Sequence, residues 1–228
     1  MLWKWVNTGI QVFILDLDGT LIPSAEIDNE CFWRAVFESL GERDHLPDLH
    51  QFKHVTDSGI LDEWCVMELG RLPRVEETRQ IKQRFGELLE SAFRLHPGHF
   101  SPLPGVDEWL DAAVNHDQVY VGIATGGWEH SAQLKLRLSG LNRFGLPLAS
   151  SDDATSRPEI MRIAVHRTLG YQADEQADFT YVGDGAWDLK ASRELGWKFI
   201  GIASGKRANQ LRLAGADQII QNFCQSGL

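Results

Sequence analysis

The chain has 228 residues, of which 43% are hydrophobic and 24% charged, with a formal net charge of -10 and a pI near 5.2. That length suits one large domain with a smaller insertion, and the acidity would repel a phosphate backbone, so nucleic acid is not expected as a partner. Cys31, Cys65 and Cys224 show no CxxC spacing and read as buried thiols of a reducing compartment.

The first residues, Met1 to Val6, are apolar but are broken by Asn7-Thr8-Gly9. This is too short for a signal segment or a membrane span, so a cytoplasmic location and no membrane partner are expected. The next apolar run, Gln11 to Leu15, reads as a strand. It stops at Asp16-Leu17-Asp18-Gly19-Thr20-Leu21. Carboxylates spaced i, i+2 at a strand end point to one side, and at the C-terminal ends of open α/β sheets that is where ligands bind. Such a pair shares either a proton or a cation.

From Leu21 to about Phe100, with Pro23 marking the entry, no clear strand pattern is present. Helical spacing predicts amphipathic helices over Asp28 to Leu40, Ile60 to Leu69 and Val75 to Leu95. Pro97-Gly98 and Pro102-Leu103-Pro104-Gly105 close the segment. An all-helical insertion between linkers predicts a cap able to hinge over the first strand's carboxylates. Within it, Lys53 to Gly59 is a polar link that either faces the site or is a solvated turn capping the next helix at Ser58. The basic residues Arg71, Arg74, Arg79, Lys82 and Arg84, interleaved with Glu76 and Glu77, read as a solvated face.

Strand-like runs then resume at Gln118 to Ala124, Leu146 to Ser150, Phe179 to Val182, Phe199 to Ile202 and Gln218 to Ile220. Helix patterns lie between them at Ser131 to Leu141, Pro158 to Leu169, Ala186 to Leu195 and Lys206 to Ala214. This alternation predicts βαβ units and a parallel sheet, an α/β class with an inserted helical subdomain. Three strand ends hold further polar groups. Thr125-Gly126-Gly127, ahead of a helix, could bind an oxyanion or simply turn the chain, and Ser156-Arg157-Pro158 could supply a cation or a plain cap. Gly183-Asp184 is followed four residues on by Asp188. Asp16, Asp18 and Asp184 at adjacent strand ends form an all-oxygen set suited to Mg²⁺. Thr125 and Arg157 add hydrogen bonds and positive charge for an anion, and the combination describes phosphoryl transfer through an aspartyl-phosphate.

In order and spacing these segments resemble the haloacid dehalogenase superfamily, in its phosphoglycolate-phosphatase and β-phosphoglucomutase branch with a helical cap. Asp16-Leu17-Asp18-Gly19-Thr20-Leu21, Ala124-Thr125-Gly126-Gly127, Arg157-Pro158 and Gly183-Asp184 through Asp188 stand where the four family motifs stand. The resemblance implies a Rossmann-like parallel-sheet core over 1–22 and 102–228 and a cap over 23–101. It implies Asp16 as nucleophile and Asp18 as acid and base. Mg²⁺ would be held by the Asp16 and Asp184 carboxylates and the Asp18 main-chain carbonyl, with Asp188 in support. Thr125, Gly126 and Arg157 would bind the phosphoryl group. The partner implied is a small phosphorylated metabolite, and the chain is expected as a monomer or weak homo-oligomer. A phosphomutase, or a non-catalytic protein binding phosphate or a partner, are the alternatives. Dehalogenation is disfavoured, because relatives that perform it lack the carboxylate at the Asp18 position. The family lysine of the third motif is Arg157 here. Arginine keeps the charge and can grip phosphate bidentately, with a different reach; Lys190 is a weaker substitute.

Overall fold

The computed structural model describes residues 9–42, 45–170 and 177–225; the apolar start, Met1 to Val6, lies outside them. Six parallel strands form one sheet, β1 Gln11–Leu15, β2 Val119–Ala124, β3 Leu148–Ala149, β4 Asp178–Gly183, β5 Lys198–Ile202 and β6 Gln218–Ile220. Their order is β3-β2-β1-β4-β5-β6. β1 is central, with Leu15 paired to Ile123 on one side and Val182 on the other. The strand order reverses at β1, so the crevice at its C-terminal end is the topological switch point where α/β sheets bind ligands.

Alternation along β1 serves two layers. Phe13 and Leu15 pack with Trp109 and Leu110 of helix α4 (Val106–Val114) and with Ala132 and Leu136 of α5 (Glu129–Ser139). Val12 and Ile14 face Ile160, Met161 and Ala164 of α6 (Arg157–Leu169) and Ala191 of α7 (Ala186–Glu194). The last helix, α8, covers Gly205–Leu213. Sheet order and helix layers give the expected α/β, Rossmann-like class. α4 is not among the helices expected from the sequence: it starts immediately after Pro102-Leu103-Pro104-Gly105, a run that reads as linker and masks its beginning.

Residues between β1 and α4 form α1 (Ala25–Leu40), α2 (Asp57–Leu69) and α3 (Val75–Leu95). These helices share a third core of Phe32, Trp33, Trp64, Cys65, Phe85 and Leu89, to which Trp128 and Leu134 contribute from the sheet side. Edge-to-face ring pairs, Phe32 with Trp33 and with Phe85, fix its centre. The segment leaves and rejoins the sheet at one place, where Leu103 N–H donates to the Leu21 carbonyl at 2.8 Å. Cys31 and Cys65 are buried as expected; Cys224 is exposed, contrary to expectation. Among the described residues no helix is long and apolar enough to cross a membrane.

Candidate active site

Asp16 follows β1 directly, and its N–H is held by the Val182 carbonyl of β4 at 2.8 Å. This fixes the carboxylate between the ends of β1 and β4. Asp184, one residue past β4, and Asp188, in the first turn of α7, close on it from the same side. One carboxylate oxygen from each of Asp16, Asp184 and Asp188 lies within 4.8 Å of the others, and all three residues are buried. Gly183 makes room: a Cβ there would stand 2.6 Å from Asp188 Oδ2. Asp188 also fastens its own helix by accepting from Gly185 N–H at 2.9 Å.

Burial first, then repulsion from Asp188 and Asp184, pushes the Asp16 carboxyl well above the usual range, against the pull of Arg157. Burial and Asp188 push Asp184 up to about 7, against Arg207 and Arg157. Burial also raises Asp188, with Arg157 opposing. Asp188 Oδ1 has no hydrogen-bond partner, although Arg157 Nη1 stands 3.1 Å away. Three buried, mutually repelling carboxylates with an unbonded oxygen are the donor set a hard divalent cation fits. In this geometry Asp188 joins Asp16 and Asp184, whereas the Asp18 carboxylate is engaged elsewhere. Its Oδ1 accepts from Ser24 Oγ at 2.5 Å and its Oδ2 accepts from Lys135 Nζ.

Arg157 is the first residue of α6 and is buried. Its Nη1 lies 3.4 Å from Asp16 Oδ1 and 3.3 Å from the Tyr181 hydroxyl, while Nη2 donates to the Val55 carbonyl at 3.0 Å. Burial opposes the charge, and Asp188, Tyr181 and Asp16 outweigh it, so the guanidinium stays firmly protonated. Gly126 lies flat against it; a Cβ there would fall 2.4 Å from Nη2. Lys190, the alternative cation, is exposed.

Thr125 follows β2 directly, and α5 begins at Glu129, with Trp128 at its N-cap position. The helix expected from Ser131 thus begins two residues earlier, four residues after Thr125. The Thr125 Oγ1 accepts from Gly127 N–H at 3.1 Å, which leaves its own proton free to donate. The link from Lys53 to Gly59 faces the site, and the helix after it is capped by Thr56 rather than Ser58. Of the basic group on α3, Lys82 departs from a purely solvated face: it pairs with Asp152 and lies 5.2 Å from the Trp128 ring centre.

Asp16, Asp18, Thr125, Gly126, Arg157 and Asp184 all line one cavity of about 650 Å³. Its other walls include Asp28, Phe32, Val55 and Ile60 from the helical segment, and Trp187 and Arg207 from the sheet side. Sequence reasoning missed Lys135, Asp28, Asp57 and Arg207. Arg207 Nη1 reaches Asp184 Oδ2 at 2.6 Å. The signal for Lys135 was a lysine three residues after Ala132 and four after Ser131, on a helix stripe that turns inward. Arg207 gave none, since an arginine in an exposed helix is ordinary.

The family model for haloacid dehalogenase-like hydrolases matches residues 13–202, and the chain belongs to that family. It is a hydrolase. A pyrophosphatase PpaX of Oceanobacillus iheyensis is 24% identical over 223 residues, covering 94% of each chain. Among solved structures, a hydrolase from Pseudomonas syringae matches with a TM-score of 0.70 and 21% identity over 93% of this chain and 94% of that one. CbbY from Rhodobacter sphaeroides, solved in complex with phosphate, matches with a TM-score of 0.66 and 20% identity over 96% of both. At these identities the structures establish the fold.

Proposed function

We propose that the chain is a Mg²⁺-dependent phosphatase that hydrolyses a small soluble phosphomonoester through an aspartyl-phosphate on Asp16. The observation that carries this is the gathering of Asp16, Asp184 and Asp188 beside the Arg157 guanidinium, with Asp16, Asp184 and Arg157 lining one cavity and Asp188 buried behind them. Relatives named as a pyrophosphatase and as a phosphate-bound protein point to the same substrate chemistry.

In this reading an Asp16 oxygen bonds to phosphorus as the bond from phosphorus to the leaving oxygen breaks. Asp18 gives that oxygen a proton, then takes one from the water that attacks the acyl phosphate and frees inorganic phosphate. The Thr125 hydroxyl, the Gly126 N–H and the Arg157 guanidinium hold the non-bridging oxygens. Mg²⁺, held by the Asp16 and Asp184 carboxylates and the Asp18 main-chain carbonyl with Asp188 in support, would neutralise charge on the transferring group. We assign 1–22 and 102–228 to the catalytic core and 23–101 to a cap that excludes water from the reacting centre. A cytoplasmic monomer or weak homo-oligomer is the accompanying expectation.

The test is hydrolysis of 4-nitrophenyl phosphate with and without Mg²⁺, by the natural chain and by Asp16→Asn. Turnover should require Mg²⁺ and fall by about 10³-fold or more in the variant. Metal-independent turnover, or equal turnover by the variant, would sink the proposal. A phosphomutase would instead return the phosphoryl group to a sugar hydroxyl without net release of phosphate.

A further inference from the structure

Lys135, on α5, has no solvent exposure and does not line the cavity. Its Nζ donates to Asp18 Oδ2 and, at 2.7 Å, to Oδ1 of Asp28 on α1. A desolvated ammonium is tolerated only when paired, and here the two partners come from different elements, the loop after β1 and helix α1. Burial disfavours its charge, while Asp18 and Asp28 outweigh burial and keep it protonated. Asp57, from α2, feels the same charge at longer range. Lys135 cannot touch a substrate, and no step written above uses it.

We infer that Lys135 is a positioning residue for Asp18: it grips Oδ2 from behind and leaves Oδ1 as the oxygen that exchanges the proton. The inference rests on Asp18 being the acid and base of the proposed reaction. An ammonium has three donors and no acceptor, so Oδ2 cannot direct a proton toward it. Ser24, on the other oxygen, has a hydroxyl that donates or accepts, so Oδ1 can stand with or without a proton while Ser24 turns to match. In the first step the proton leaves Oδ1 for the departing alcohol oxygen as its bond to phosphorus breaks. In the second, a water proton passes to Oδ1 as the water oxygen bonds to phosphorus and the bond from phosphorus to the Asp16 oxygen breaks, which frees inorganic phosphate and restores the Asp16 carboxylate. Lys135 keeps its three protons throughout. Because the same ammonium holds Asp28, the seating of α1 and the orientation of Asp18 are set together.

The test compares kcat/KM, with Mg²⁺ supplied, across phosphomonoesters from 4-nitrophenyl phosphate to an alkyl phosphate. The nitrophenolate departs with little help; the alkoxide needs a proton. Lys135→Met, which keeps the stem and removes the ammonium, should lose about 100-fold on the alkyl ester and under about 10-fold on the aryl ester. Asp28→Asn should show the same skew, reduced to about 3-fold to 10-fold. A loss uniform across the series, or no loss, overturns the inference. If Lys135→Met shows no cooperative melt, Asp28→Asn decides by the same criterion. Asp18→Asn run alongside separates the two levels. Skew in Asp18→Asn without skew in the other variants sinks the role of Lys135 alone; no skew in Asp18→Asn sinks Asp18 as acid and base, and the inference with it.

Discussion

Arg157 does with two nitrogens what a lysine could not do with one. Nη1 faces Asp16 and Asp188, and Nη2 is bound to the Val55 carbonyl of the helical segment. The charge that would meet a phosphoryl group is therefore also a tether to the wall opposite. Arg157→Lys should keep the charge, lose the tether and lower kcat/KM about 10-fold to 100-fold through misplacement of the site, measured by steady-state kinetics. Gly126→Ala should act similarly by pushing Nη2 aside. The double variant should be no worse than Arg157→Lys alone, because the shorter cation vacates the space the methyl needs. Full additivity would show that the two residues act separately. The position of Arg157 was legible in the sequence, since motif order alone points to it. Its second partner was not, because Val55 lies 102 residues away and binds through a backbone carbonyl that any residue would offer.

Where α2 begins, side chains join the helices to the sheet. Thr56 Oγ1 accepts from Gly59 N–H at 3.2 Å and donates to the Thr155 carbonyl at 2.8 Å. The Asp57 N–H donates to the Gly126 carbonyl, and its carboxylate accepts from Trp128 N–H. Ser58 Oγ accepts from the Trp128 indole and donates to the Ser151 carbonyl. One turn of helix thus engages the loops after β2 and β3. Thr56→Val keeps the shape and removes both bonds of the hydroxyl; a loss of about 1–3 kcal/mol in urea unfolding is expected, with faster amide exchange in the first turn of α2. An unchanged midpoint would show that the turn is held by other means. The strands and long helices were readable to within a few residues, because apolar period decides them. The start of α2 was not, since Thr56 and Ser58 are equally good caps and only the position of Thr155 favours the first.

For the molecule as a whole, the charge gathered at the site should be visible in stability. Asp28, pushed up to about 6 by burial and then by Asp18, and Asp184, pushed up to about 7, are raised above their unfolded values. A carboxyl raised by folding contributes stability that is complete below about pH 4 and is lost as the pH rises through its folded value. Glu38 and Glu77, held down at about 2 by Arg84 and Arg71, have the opposite sign and act below pH 4.5. With a chelator present, melting temperature should therefore fall between pH 4.5 and 7.5. Mg²⁺ should restore about 2.7 kcal/mol at pH 7.5 when it is in hundredfold excess over its Kd there, and less than that at pH 5. Thermal melts at both pH values check this, and a melting temperature indifferent to Mg²⁺ at pH 7.5 would remove the ion from the site.

The bond between Leu103 N–H and the Leu21 carbonyl has a wider consequence. The chain departs from the sheet and returns to it at a single point, so residues 22–102 behave as a cassette whose two ends are already joined. Its attachment point would survive a change of length far from the site, whereas the bonds from Asp28 to Lys135 and from Val55 to Arg157 mean that exchanging α1 or the approach to α2 would also move the groups that hold Asp18 and the site cation. Variation in the segment is therefore least costly where it does not touch these two bonds.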